Sequence, residues 1–460
     1  MKIKRNKISI VGLGFVGSAM AVAINSIRNK KKNLYNVLGI EKDDLKGKNI
    51  SLSLNNGIFP FKVNDKILIN KAKLLKNRAN FFASNNIEDI EDSKIIICSI
   101  NFDLKKQSKK FITNSNNYLN VIDKIAKYIN PNATLIIEST LPPGYCENKI
   151  IPRFKNIFKK RKIDINKVKI AYSFERVMPG KNYFNSIRNI WRVYAANNKA
   201  AELTCKIFFE SIINVKKYPL TKMKSIRSVE LTKVLENTYR SVNIAFIDEW
   251  TKISEKLGIN LNKVVDAIKL RPTHSNIMRP GLGVGGYCLT KDSLLAMYSA
   301  KKIYKFNNSK FPFSNLALKV NNSMPSHTIK VIKKLNNNNL KNKKILICGA
   351  SYKNDIGETR YSPSEILYKK LKKFDCKIEI YDPYVKFWSE LNLKVSQKIK
   401  NFNKFDNIIL AVNHNEFSNI NFNKLNKKTV IVDTCGILNS KKKSILKKND
   451  IIVYKIGQGI

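Results

Sequence analysis

An apolar run, KISIV, leads directly into GLGFVG (Gly12 to Gly17) and then into small and apolar residues. No other feature of the chain restricts the fold as strongly. G-x-G-x-x-G at the junction of a strand and a helix demands a βα unit: the first glycine permits the tight turn, the second lets a pyrophosphate approach the backbone, and the third lets the helix lie close on the strand. Helix N-terminal amides then favour an anion. Gly12, Gly14, Phe15, Val16 and Gly17 are therefore the candidate dinucleotide contacts, with a ligand-free tight turn as the plain alternative. Glu41 closes the next predicted strand, NVLGIEKD, where a carboxylate accepts from both ribose hydroxyls and repels a 2′-phosphate. This favours NAD over NADP, with Lys42 pulling the other way.

The basic MKIKRNK before the apolar run imitates a secretory signal, but the glycine spacing assigns that run to the βα unit. No other apolar run approaches the length that spans a bilayer, so a soluble protein without a membrane partner is expected. From Lys7 to about Glu138, short apolar runs (KIIICSI, ATLIIEST) alternate with helical stretches (LNVIDKIAKYI), which predicts a parallel sheet. VKIAYSFERV and WRVYAANN add strands. Residues 225–258 hold no proline, and no glycine until the last, so they predict one long helix that bridges domains or subunits. KKILICGASYK, CKIEIYDP, NIILAVNH and KTVIVDTCG form a second βα region. The expected architecture is α/β: a Rossmann-type domain at 1–205, a helical centre at 206–325 and a Rossmann-like domain at 326–460.

The chain has 460 residues and a formal charge of +51. A field of that sign suits nucleic acid or anionic lipid. However, lysines are scattered between apolar runs all along the sequence, which fits a compositional bias, and no nucleic-acid partner is expected. The seven cysteines stand singly and only three histidines are present. Neither a zinc site nor a disulfide framework is supported, and a reducing cytoplasm is expected.

Four stretches carry chemistry-bearing residues. ESTLPPG places Thr140 past a strand, at the ligand-binding edge of an open α/β sheet or in a plain terminating turn. YSFERVMPGK places Glu175 similarly, where it orients water or pairs with Arg176. Lys233 and Asn237 share one face of the long helix, either to polarise a substrate oxygen or as a solvated pair. PGLGVGGYCLTKD sets four glycines before Cys288, Lys291 and Asp292, a pattern that fits a nucleophile on a loop closing over a ligand or a structural cysteine. It lacks the G-K-[ST] ending of a nucleotide-hydrolysing loop.

In this order, GLGFVG, ESTLPPG, YSFERVMPG, KVLEN, PGLGVGGYCLTKD and GASYKNDIGETRYSP resemble the UDP-glucose/GDP-mannose dehydrogenase family, from about Lys7 to about Gly436. The resemblance implies an N-terminal NAD domain, a central dimerisation domain with the long helix, and a C-terminal nucleotide-sugar domain. It implies NAD-dependent, four-electron oxidation of the sugar C6 hydroxyl to a carboxylate, for cell-surface polysaccharide precursors. Cys288 would form a thiohemiacetal and then a thioester. Lys233 and Asn237 would stabilise the oxyanion, Asp292 would assist proton transfer, and Thr140 and Glu175 would position water and substrate. Gly283, Gly285 and Gly286 would wrap the sugar, with Lys353 on the substrate. Arg360, Lys291 and Lys46 would lie on the cofactor side. Arg271 resembles an arginine contributed across a homodimer or larger homo-oligomer.

The sequence departs from the family pattern at SINFD (99–103), at Ser173-Phe174 in place of serine-proline, at Pro179, at Thr290 in place of proline and at Cys435 in place of arginine. Against the six ordered motifs stand two other classes, a non-catalytic NAD-binding scaffold and a basic nucleic-acid-binding protein. The E-R-V-x-P-G form leans toward a UDP-N-acetylhexosamine substrate, with UDP-glucose next because of Lys291.

Overall fold

The computed structural model describes residues 6–29, 32–107, 110–177, 180, 182–306, 308–422 and 425–458. It contains two compact units, residues 1–236 with 294–310 and residues 237–293 with 311–460.

The first unit is built on an eight-stranded sheet. Its strands are β1 (Asn6–Val11), β2 (Tyr35–Ile40), β3 (Phe81–Ser84), β4 (Ile95–Cys98), β5 (Thr134–Ile137), β6 (Ile170–Tyr172), β7 (Val193–Ala196) and β8 (Thr221–Lys222). They lie in the order β8-β7-β6-β5-β4-β1-β2-β3. All neighbours are parallel except β6 and β7, a pair that the repeating βα pattern did not announce. β3 and β8 also went unread. β3 is an edge strand with Phe82 exposed, and β8 is two residues long, so neither carries an apolar period.

The helix Phe15–Asn25 is buried from Gly17 through Asn25. A helix covered on every side has no polar face. This is why the run imitates a signal segment. Ile8, Ile10, Leu13, Met20, Val22 and Ile24 join one core with Val37 and Phe81.

The second unit holds a five-stranded parallel sheet of β9 (Lys344–Cys348), β10 (Lys377–Tyr381), β11 (Asn407–Leu410), β12 (Val430–Asp433) and β13 (Ile452–Lys455), in the order β10-β9-β11-β12-β13. In β9, β11 and β12, short runs of Ile, Leu and Val with no alternation mark strands buried on both faces. The long helix spans Ile226–Lys256, within the predicted bounds, and contributes residues to both units.

Candidate functional site

At the glycine turn, each glycine has a separate reason. Gly12 has φ +95°, and a Cβ there would lie 2.7 Å from the Ile100 side chain. At Gly17 a Cβ would stand 1.8 Å from the Gly12 carbonyl oxygen, so the helix approaches the strand too closely for any side chain. A Cβ at Gly14 would meet nothing within 4 Å, which leaves the space a pyrophosphate needs. The residues present thus fit a dinucleotide. Glu41, just past β2, accepts the Leu13 N–H at 2.6 Å and the Lys42 N–H at 2.9 Å. Its two oxygens retain lone pairs for ribose hydroxyls. The Lys42 ammonium pairs with Asp44 at 2.9 Å, which satisfies the cation that argued against NAD. Lys46 is exposed in the first turn of the helix Leu45–Asn55. Phe15 stacks on Phe61 with centroids 4.2 Å apart, and Val16 is half-buried beside it.

Elsewhere in this unit, Thr140 is half-buried beyond the end of β5. Its turn is held by Glu230 of the long helix, whose carboxyl accepts the Gly144 N–H at 2.5 Å and the Cys146 N–H at 2.9 Å. Burial pushes the Glu230 carboxyl up to about 7. Glu175 does not pair with Arg176, as one reading of the sequence allowed. Arg176 forks onto Glu236 at 2.7 Å, while the Glu175 carboxylate accepts the Val177 N–H and its carbonyl accepts the Lys233 ammonium at 2.9 Å. Lys233 is buried, 5% exposed, and lies 5.2 Å from the Phe174 ring centroid. The solvated-face reading of this lysine is therefore wrong: Phe174, standing where the family has proline, covers it. In the departed SINFD segment, Phe102 anchors the loop among Tyr118, Tyr145 and Tyr298. Pro179, with Met178 and Lys181, lies outside the described residues.

In the second unit the loop 280–292 is closely confined. A Cβ on Gly283 (φ +104°) would stand 2.4 Å from the Asn321 carbonyl oxygen. Additions at Gly285 and Gly286 would strike Tyr352 at 2.7 and 2.5 Å. These glycines therefore serve packing within the protein, which composition alone could not distinguish from ligand approach. Cys288 is half-buried, and its carbonyl accepts the N–H groups of Lys291 at 3.1 Å and Asp292 at 2.9 Å. Thr290 donates its hydroxyl to the Gly286 carbonyl at 2.8 Å, closing the turn where relatives carry proline. Asp292 is fully buried between two partners: Asn237 donates to one oxygen at 2.6 Å and Lys291 to the other at 2.8 Å. Thus Asn237, Lys291 and Asp292 are brought together around the cysteine turn.

Lys353 is half-buried in the 349–355 turn, and burial, then the nearby Arg240, lowers its ammonium pKa. That turn is held by Asp382 and His414, neither singled out by the sequence. Asp382 accepts from the N–H groups of Ala350 and Ser351, and His414 Nδ1 accepts the Asp355 N–H at 2.8 Å. His414 Nε2 lies 3.0 Å from the Ser351 hydroxyl. Arg360 forks onto Glu358 at 2.9 and 2.7 Å. Arg271 is exposed just before Pro272–His274. Cys435, standing in place of arginine, is tucked in with its thiol on the Leu410 carbonyl at 3.4 Å.

Among the described residues, no group of three or more His, Cys, Asp and Glu could hold a metal, and no helix is long and apolar enough to cross a membrane. Glu230 stands three residues before Lys233, a helical spacing that could have flagged it. Asp382 and His414 had no local signal, because strand ends far apart in sequence bring them together.

Comparison with known proteins adds family models of three kinds from one family. Residues 6–213 match the NAD binding domain of the UDP-glucose/GDP-mannose dehydrogenase family, 227–323 its central domain and 346–440 its UDP binding domain. A UDP-N-acetyl-D-mannosamine dehydrogenase of Methanococcus vannielii is 29% identical over all of this chain and 98% of its own. A UDP-glucose 6-dehydrogenase of Rickettsia prowazekii is 26% identical over 98% of this chain and 100% of its own. The structure of a UDP-D-ManNAc dehydrogenase from Pyrococcus horikoshii shares the fold at TM-score 0.80 and 24% identity, covering 98% of this chain and 99% of that one. With three matches in order over most of its length, the chain belongs to the UDP-glucose/GDP-mannose dehydrogenase family and is an NAD-dependent oxidoreductase of nucleotide sugars.

Proposed function

We propose that the protein oxidises the C6 hydroxyl of a UDP-sugar to a carboxylate in two steps through a covalent Cys288 adduct. The observation that carries this reading is the turn that fixes Cys288 by its own carbonyl, four residues before an Asp292 clamped by Asn237 and Lys291. The glycine-turn residues would hold NAD, which when bound would supply the hydride-accepting chemistry of both oxidation steps of a single turnover. The chain's residues do the rest. Deprotonation of the C6 hydroxyl accompanies the first oxidation and leaves an aldehyde. The Cys288 thiol adds to it, forming a C–S bond and a tetrahedral thiohemiacetal. The second oxidation gives a thioester, and water displaces the thiol to release the carboxylate.

Lys233 and Asn237 stabilise oxyanion character at C6, and a buried cation such as Lys233 acts strongly because little water screens it. Asp292 passes protons through water, while Thr140 and Glu175 position water and substrate. Gly12, Gly14, Phe15, Val16, Gly17, Glu41, Lys46, Lys291 and Arg360 serve the cofactor. Lys353 serves the nucleotide sugar directly, and Gly283, Gly285 and Gly286 serve it by letting their loop pack against Asn321 and Tyr352. Domain limits at 1–205, 206–325 and 326–460 follow this division of labour.

A UDP-N-acetylhexosamine is the favoured substrate, supported by the E-R-V-x-P-G form and by the names of the relatives at 27–29% identity. UDP-glucose is next. The protein works in the cytoplasm, as the single spacing of its seven cysteines in the sequence suggests. It works as a homodimer or larger homo-oligomer, with Arg271 reaching the partner subunit's substrate. Phe246, Trp250 and Ile253 support the dimer, since they leave exposed apolar groups at four- and three-residue steps along the long helix.

The test is stoichiometric. On a panel of UDP- and GDP-sugars, one substrate should yield about two NADH per sugar consumed. A folded protein that forms no NADH on any of them rejects the proposal. Cofactor choice has its own test. Glu41→Ala should weaken NAD binding by about 10- to 100-fold, the worth of charge-assisted hydrogen bonds, and narrow the gap to NADP. Unchanged affinities for both dinucleotides, measured by titration, would remove Glu41 from the ribose site.

A further inference from the structure

Tyr287, directly before Cys288, drew no attention in the sequence, yet its ring is the meeting point of two cations. The Lys291 ammonium lies 4.5 Å from the ring centroid and the Arg360 guanidinium 5.3 Å. Each cation also holds a carboxylate: Lys291 binds Asp292 at 2.8 Å, and Arg360 forks onto Glu358. Asp292 in turn holds Asn237 at 2.6 Å. The Tyr361 ring lies 6.3 Å from that of Tyr287. A continuous chain of contacts therefore runs from Glu358 and Arg360 in the GETRYSP segment, through the Tyr287 ring, to Lys291, Asp292 and Asn237.

We propose that Tyr287 is a positioning residue that couples the Arg360 segment to the Asp292 cluster through its ring face. The physical reason lies in the burial of Lys291, which is 2% exposed. An ammonium deprived of water needs more than one carboxylate oxygen to fix its direction. The electron-rich ring supplies a second attraction that is strongest where solvent is excluded. The same face draws Arg360, whose planar head stacks more readily than an ammonium would. Movement of the GETRYSP segment on binding a nucleotide sugar would thus reach Lys291 through the ring, and through Lys291 the carboxylate one residue on. Asp292 is caught between a donor on the long helix and a donor on the loop, so a shift of Lys291 rotates the carboxylate relative to Asn237.

The role rests on the proposed dehydrogenase reaction, so two readouts separate its failure from failure of that reaction. Tyr287→Phe keeps the ring face, whereas Tyr287→Leu fills similar volume without it. In steady-state kinetics, Tyr287→Leu should lower kcat about tenfold or more and raise the KM values for both the nucleotide sugar and NAD, while Tyr287→Phe recovers most of the loss. Independently of any substrate, reductive methylation read by mass spectrometry should find Lys291 protected in the wild type and in Tyr287→Phe and modified in Tyr287→Leu, with both variants melting as cooperatively as the parent. Lys291 protection that is equal in Tyr287→Leu and the wild type would overturn the proposal whether or not the enzyme turns over. So would a Tyr287→Phe variant as impaired as Tyr287→Leu, because the hydroxyl and not the ring face would then carry the effect.

Discussion

Cys288→Ala is expected to lower NADH formation by about three orders of magnitude or more, the scale on which enzymes lose turnover with their nucleophile. Removing the first hydride from a C6 alcohol is reversible and leaves an aldehyde, which is a poor donor for a second hydride. Addition of a thiol converts that carbon to a tetrahedral centre bearing a hydrogen that can leave, and holds the intermediate in place. Without Sγ neither happens. Cys288→Ser should fail nearly as completely, because a serine hydroxyl ionises far less readily than a thiol and an ester is hydrolysed more slowly than a thioester.

The local structure makes the substitution clean. The turn is held by the Cys288 carbonyl, by the Lys291 and Asp292 N–H groups and by the Thr290 hydroxyl, none of which changes. NAD binding and thermal stability should therefore stay near wild type. Turnover of Cys288→Ala within tenfold of the parent would eliminate the covalent route.

Asp248→Asn is expected to stabilise the protein at neutral and alkaline pH, with no gain in acid. Asp248 sits on the long helix with no solvent exposure, and no side chain hydrogen-bonds either carboxyl oxygen. Burial pushes its carboxyl up to about 8, offset only in part by the Gly281 N–H and Lys252. In the unfolded chain it ionises near the ordinary aspartate value of about 3.9. Below that value both states hold the proton and the residue is neutral in effect. As pH rises, the unfolded state releases its proton first, so the unfolded state gains and the fold weakens by about 1.4 kcal/mol per pH unit. The loss ends once the folded group ionises too, near pH 8, by which point the accumulated cost is on the order of a few kcal/mol. An asparagine has no proton to lose and nearly the same shape. Thermal melts of the two proteins should coincide below about pH 4 and separate steadily up to pH 8, with the variant higher. Parallel curves across that range would show that Asp248 is not held neutral.

Much of this architecture is written in local sequence. GLGFVG specified its turn because each glycine answers a steric demand of a strand meeting a helix, and those demands are met within six residues. The parallel strands were legible as short runs of Ile, Val and Leu. The long helix was legible because nothing in residues 226–256 interrupts it. β8, two residues long, was not, and neither were the four-residue edge strands β3 and β13.

At the candidate site, residue types and spacing singled out Cys288, Lys233, Asn237 and Asp292. What surrounds them was decided in three dimensions. The sequence could not say whether Lys233 faces water or protein, because Phe174 and the Glu175 carbonyl reach it from a strand end 58 residues away. Nor could it distinguish glycines that admit a ligand from those that admit a neighbouring tyrosine or a carbonyl oxygen, since both need the same missing Cβ. Side-chain chemistry and spacing thus determined the family, the cofactor and the candidate nucleophile. Burial and the pairing of charges, as at Tyr287, Asp292 and Asp248, follow from segments distant in the chain meeting in space, and only the tertiary structure could supply them.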